Sequence, residues 1–161
     1  MKRAVPLAAA GVGLLVTAVA VLAWTGSGEE APSGLTVLDT PVDAAMIAQG
    51  QEIYAESCAS CHGAELEGQP DWRRRLEDGR MPAPPHDDSG HTWHHADRDL
   101  FTITKHGVGA VVPGYESDMP AFEGLLSDPE IKAVLGYIKS TWSERERAFQ
   151  AEVSANDEGG S

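Results

Sequence analysis

The chain contains two cysteines, Cys58 and Cys61, three positions apart and followed at once by His62. A pair this close cannot staple distant parts of the chain, and two thiols are too few for a four-cysteine zinc site. Neither a disulfide scaffold nor a zinc ribbon is therefore open to this sequence, and the pair has to be explained by local chemistry. Two buried thiols, a local disulfide and a thioredoxin-type redox couple are the plain alternatives. The last belongs beside a β-α-β pattern, and no segment here shows a convincing strand alternation.

With the next residue included, Cys58-Ala59-Ser60-Cys61-His62 has the C-x-x-C-H spacing of c-type haem attachment. In that chemistry both thiols add to haem vinyl groups and the imidazole binds the iron. On a helix Cys58 and Cys61 stand about one turn apart. Both sulfurs can then reach the same edge of the macrocycle while His62 turns beneath the ring. One motif predicts one haem c, held covalently by Cys58 and Cys61 with His62 as an iron ligand.

Attachment of this kind is completed outside the cytoplasm, and the N-terminus agrees with export. Lys2 and Arg3 precede an uncharged, Ala/Val/Leu-rich run from Ala4 to Trp24, with no acidic residue until Glu29. As a helix the run covers about 31 Å, close to the roughly 30 Å hydrocarbon core of a bilayer. Residues 1–24 are expected as a signal anchor in the inner membrane, with the rest on the periplasmic, extracytoplasmic side. A cleaved signal peptide is the alternative, because Ala18-Val19-Ala20 has the small-x-small pattern of a cleavage site. Beyond it, residues 25–41 read as a flexible tether, 42–149 as one globular domain and 150–161 as a disordered acidic tail. Twelve Lys and Arg face 25 Asp and Glu, a formal charge of −13. That balance argues against nucleic acid as a partner and favours redox partners with basic docking surfaces.

Within the domain the periodicity is helical. Ala44 to Ala59 carries Ile47, Ile53 and Tyr54 on a shared side. A second helix opens near Asp97 and stops at Lys105-His106-Gly107, where positive charge precedes glycine. A third begins at the capping box Ser127-Asp128-Pro129-Glu130, and its apolar stripe from Ile131 to Trp142 predicts one helix of about five turns. Gly68 to His95 is rich in Pro, Gly, His and Asp and should be mostly loop. The fold class is all-α with long loops.

Gly50 and Tyr54 ahead of the cysteine motif, Met119-Pro120-Ala121-Phe122, and Leu135-Gly136-Tyr137-Ile138 complete a pattern. Over Ala44 to Trp142 the chain resembles the class I monohaem c-type cytochromes of bacteria. The resemblance implies three to five helices packed around one covalently attached haem. It implies that the first and last helices cross beside the haem, with Gly50 as the small crossing residue and Tyr54, Leu135 and Tyr137 as its neighbours. It also suggests two supporting roles. Pro70 would offer its carbonyl to Nδ1 of the axial histidine, and Trp93 would donate a hydrogen bond to the haem propionates.

Two methionines open the same Met-Pro-Ala tripeptide. Met119, 57 residues after His62, leaves enough chain to build a helix and return over the opposite haem face, whereas Met81 follows after only 19. Met119 is the expected second iron ligand, and Met81 is expected as core filler, with contact to the haem edge open. A thioether is a soft, neutral ligand that favours Fe(II), so this pair implies a raised potential and a closed, six-coordinate iron. Four histidines crowd the segment from His86 to His95. Besides a solvated loop, His86, His91, His94 and His95 with Asp87 or Asp88 admit a copper or zinc site. One of these histidines could instead replace Met119 on the iron, and His91 or an arginine among Arg73 to Arg75 could share the propionate role of Trp93.

The functional expectation is an extracytoplasmic one-electron carrier between respiratory membrane complexes, not itself an enzyme and with no small-molecule substrate. The alternatives are a haem-containing copper-handling or redox-sensing protein using the histidine-rich loop, and a fixed electron-transfer subunit of an oxidoreductase.

Overall fold

Asp43 opens the helical part of the chain, its carboxylate accepting the amide of Met46 at 2.8 Å to cap α1, Ala44–Ser57. The structure is a computed structural model that describes residues 31–159, so the expected anchor over residues 1–24 lies outside it. After α1 come a single turn, α2 (Ala59–His62), and a long irregular stretch from 63 to 91. A 3-10 turn at Thr92–His94 leads to α3 (Asp97–His106), which ends at Gly107 with φ 84° as its glycine stop predicts. A second 3-10 turn, Val108–Ala110, and an irregular loop precede α4 (Asp128–Thr141). The Ser127/Glu130 capping box forms there as its spacing predicts. The last helix, α5, spans Glu144–Gly159.

Helices α1 and α4 cross at Gly50. A Cβ on Gly50 would run into the carbonyl of Ala133 and come within 2.9 Å of the Tyr137 Cβ, so only hydrogen fits at this contact. Tyr54, 1 % exposed, packs one turn further on with its ring centroid 5.5 Å from that of Tyr137. Ile131, Val134, Leu135 and Ile138 of α4 complete the core together with Leu100 of α3. The mostly helical architecture around this crossing is the arrangement that the resemblance implies.

Three local expectations differ from what is observed. First, residues 31–41 are not a featureless tether. Thr36–Val37 and Thr40–Pro41 pair as a minimal antiparallel hairpin, β1 and β2, the one departure from an all-helical set among the described residues. Leu35 and Val37 are buried against the core. Second, the described part of the expected tail is helical, since α5 continues to Gly159 and Gln150 is fully buried. Both ends are held by one buried polar group. Lys139 of α4 donates to Asp97 of α3 and to the Thr36 carbonyl, each at 2.6 Å, while Gln150 donates to Asp97 at 2.7 Å. Asp97 also accepts the Leu38 amide at 2.9 Å, and its own amide donates to Ser154 at 3.0 Å. Third, the five-turn helix is broken. Trp142 takes an extended backbone, φ −72° and ψ 154°, and the chain restarts as α5 behind a Ser143 hydroxyl that pairs with Glu146.

Candidate functional site

The cysteine motif sits where α1 gives way to α2. Cys58 has φ −121° and ψ −39° and breaks the helix there. Its carbonyl then accepts the amides of Cys61 and His62 at 3.1 and 2.9 Å, winding one new turn. Both thiols are free, Cys58 half-buried and Cys61 exposed. Burial, reinforced by the neighbouring Cys61, pushes the Cys58 thiol up to about 11. The turn is pinned from behind. The Tyr54 hydroxyl donates to the Gly63 carbonyl at 2.9 Å, and the Gly68 amide to that of His62 at 2.7 Å.

His62 is buried, and its Nδ1 lies 2.9 Å from the carbonyl oxygen of Pro84. A carbonyl can only accept, so Nδ1 carries the proton and Nε2 keeps its lone pair. Burial lowers the His62 pKa, with the Pro84 hydrogen bond opposing it, which favours the neutral imidazole a metal needs. The proline expected here was Pro70, and the structure corrects it. The loop after His62 folds back on residues 83–86. The Gln69 amide donates to the Ala83 carbonyl at 2.9 Å, and the His86 amide to Leu66 at 2.8 Å. That pairing carries Pro84 to the imidazole and leaves Pro70 exposed.

His86, which the sequence offered as a metal ligand or a substitute for Met119, stacks on the His62 ring at 4.1 Å and 21°. Its Nδ1 pairs with the Thr92 hydroxyl at 2.8 Å, and Trp142 donates to its carbonyl at 2.7 Å. Burial, followed by the neighbouring His62 and His91, holds the His86 pKa well below the ordinary value.

Met119 is half-buried on the loop after α3, its amide donating to the Ser117 hydroxyl at 3.1 Å. That loop is fastened to the end of α3 by the Phe122 and Glu123 amides, which donate to Thr104 and Lys105 at 3.1 and 2.9 Å. Arg80 and Asp118 form an ion pair, which draws the two Met-Pro-Ala segments alongside one another. Trp93 directs its indole N–H to the Asp88 carbonyl at 3.4 Å, and its ring packs on His94 and on Phe149 of α5.

The histidine-rich segment brings His91 and His95 edge to face at 5.3 Å, but the others turn elsewhere: His91 also stacks on Trp72 at 5.2 Å and 6°, His94 lies on Trp93, and His86 faces His62. Among the described residues no group of three or more His, Cys, Asp or Glu side chains could hold a metal ion. No helix among the described residues is long and apolar enough to cross a membrane. The donor set at the α1/α2 junction, two free thiols on one turn beside a neutral imidazole with Nε2 open, fits a covalently attached haem c.

A family model described as cytochrome c oxidase, cbb3-type, subunit III matches residues 45–138. The chain is 31% identical over 109 residues to the cbb3-type cytochrome c oxidase subunit CcoP of Rhodobacter capsulatus, covering 66% of this chain and 33% of the relative. To subunit FixP of the same oxidase type in Sinorhizobium medicae it is 27% identical over 111 residues, covering 66% and 31%. The chain thus spans about a third of the length of these curated relatives. No solved structure matches.

Proposed function

Because this chain belongs to the family of cbb3-type cytochrome c oxidase subunit III, we propose that it carries one covalent haem c and transfers single electrons on the extracytoplasmic side of a membrane. Cys58 and Cys61 would hold the group covalently, and His62 Nε2 and the Met119 sulfur would be the side-chain donors to its iron. When bound, the haem supplies a one-electron Fe(III)/Fe(II) couple. The protein's residues do the rest. Pro84 fixes the imidazole orientation and tautomer, Tyr54 and Gly68 hold the attachment turn, and the α1/α4 crossing at Gly50 keeps the core rigid beneath it. With His62 and Met119 both committed to the iron, the site would move electrons and leave no position for a substrate, which fits an electron-transfer subunit rather than an enzyme.

The observation that carries this reading is the buried, Nδ1-bonded His62 one residue after two free thiols. An alkaline pyridine haemochrome spectrum and the ferric far-red band of sulfur-ligated iron test it. Both features in the parental protein support the reading, with the band lost in Met119→Ala and kept in Met81→Ala. A c-type spectrum without the band refutes Met119 as the ligand.

The names of the relatives favour a fixed subunit of a terminal oxidase over a free carrier, while the acidic sequence suits a partner with a basic port. An N-terminal anchor at residues 1–24 would confine either form to the membrane surface. Stable co-purification with an oxidase from detergent extracts supports the fixed subunit, and recovery of the cytochrome alone supports the carrier. The copper-handling alternative has less support, because no group of three or more metal-ligating side chains forms among the described residues.

A further inference from the structure

Residues 80–85, Arg-Met-Pro-Ala-Pro-Pro, contain three prolines and no helix or strand. Proline fixes φ near −65°, and each Pro also holds its predecessor extended, so the segment behaves as a stiff strap. Four extended residue steps cover about 12 Å. The strap is tied at both ends and in the middle. At one end the Pro84 carbonyl accepts from His62 Nδ1 at 2.9 Å. In the middle the Ala83 amide donates to Gln69 Oε1 at 3.0 Å, and Gly68 packs so closely on Pro84 and Pro85 that a Cβ there would meet the Pro85 ring at 2.8 Å. At the other end Arg80 pairs with Asp118, the residue directly before Met119.

A second contact repeats the attachment to the Met119 loop. The Arg75 guanidinium stands 5.9 Å over the Tyr115 ring, and Arg75 also donates to the Gly79 carbonyl at 2.6 Å. A cleft of about 350 Å³ lies between the two loops, lined by Arg75, Asp78, Arg80, Tyr115 and Glu116 among others. Asp78 accepts the Arg80 amide at 3.0 Å, which helps hold this end of the strap in place.

We propose that Arg80 and Asp118 are positioning residues for the Met119 thioether, clamping its loop to the same proline strap that orients His62. This rests on the reading of Met119 as an iron ligand. Both axial sides are then held by one short segment. A disturbance at the Arg80 end reaches the iron by freeing the Met119 loop rather than by loosening the core. Positive charge at position 80 is the requirement. Arginine provides it with a planar fork, and lysine retains it with weaker geometry.

The test uses the ferric, haem-loaded full chain. Imidazole is titrated in at low salt, loss of the far-red band is followed, and the reduction potential is measured alongside. An exposed ion pair contributes little, so Arg80→Ala and Asp118→Asn should each tighten apparent imidazole binding by up to about fivefold and lower the potential. The double variant should be no worse than either single one, and Arg80→Lys should retain most of the parental behaviour. The differences should fade in high salt. An unchanged urea midpoint beside these shifts separates positioning from general loosening. A band indifferent to both substitutions, or losses that simply add in the double variant, would overturn the clamp. A parental protein with no far-red band fails the ligand reading instead, and the clamp with it.

Discussion

His62 Nδ1 and the Pro84 carbonyl oxygen stand 2.9 Å apart, across 22 residues of sequence and a loop that doubles back between them. The bond sets which imidazole nitrogen carries the proton, and it makes that imidazole a stronger donor to iron. A stronger donor stabilises Fe(III), so weakening the bond should raise the reduction potential. Pro84→Gly keeps the carbonyl but frees its backbone. The expected rise is on the order of 40 mV for a bond contribution of about 1 kcal/mol in a one-electron couple. Pro70→Ala should leave the potential at the parental value. Redox titration of the two variants decides the point, and a shift in Pro70→Ala with none in Pro84→Gly would reverse the assignment.

Gly50 and Gly136 predict unequal costs for the same substitution. A methyl at Gly50 meets the Ala133 backbone carbonyl, which cannot move without shifting α4. Gly50→Ala should cost about 1–3 kcal/mol in urea unfolding of the haem-loaded protein. At Gly136 the new methyl meets Val42 side-chain atoms at 3.1 and 3.2 Å. Those atoms can give by a few tenths of an ångström, so Gly136→Ala should cost less than Gly50→Ala. Equal losses would show that the crossing is more plastic than its geometry implies.

The helices of this fold announce themselves locally, and the parts that were not foreseen are held over long range. Asp43, the Ser127/Glu130 box and the Gly107 stop are each readable within four residues. The hairpin is not. It turns at Leu38 and Asp39, both left-handed with φ 48° and 59°, and leucine rarely takes that conformation. What holds it is Asp97, 59 residues away, which accepts the Leu38 amide. The α5 helix likewise depends on Gln150 reaching Asp97. The break at Trp142 did carry a readable sign, because Ser143 and Glu146 repeat the spacing of Ser127 and Glu130. At the site, the attachment turn is written in five consecutive residues. The proximal carbonyl depends on Gln69 pairing with Ala83, which no offset from His62 encodes.

Lys139 and Asp97 carry the next prediction. Burial pulls the Lys139 ammonium below the ordinary lysine value, with the Asp97 contact opposing it. Between that lowered value and 10.5 the unfolded chain holds more protons at this group than the folded one, so Lys139 makes stability rise with pH across the window and level off above it. Lys139→Met should remove that contribution. It should also leave Asp97 a buried charge without its cation, at a cost of about 3–5 kcal/mol at neutral pH. Urea unfolding of parent and variant at several alkaline pH values measures both effects. An unaltered slope would mean that another group titrates there.

Trp142 and Trp93 separate a structural indole from one that contributes little. Trp142 is 2 % exposed and donates to the His86 carbonyl at 2.7 Å. The His86 ring in turn stacks on His62 at 4.1 Å. Trp142→Phe removes that donor and leaves a buried carbonyl unsatisfied, which should cost about 1–3 kcal/mol. It should also disturb the His62 environment through His86, visible as moved hyperfine-shifted NMR signals of the axial imidazole. Trp93 is half-buried, with its hydrogen bond to Asp88 stretched to 3.4 Å. Trp93→Phe keeps the ring contacts with His94 and Phe149, so it should cost less than about 1 kcal/mol and leave both the NMR signals and the potential where they were. A clear potential shift in Trp93→Phe would instead support a hydrogen bond from this indole to a haem propionate.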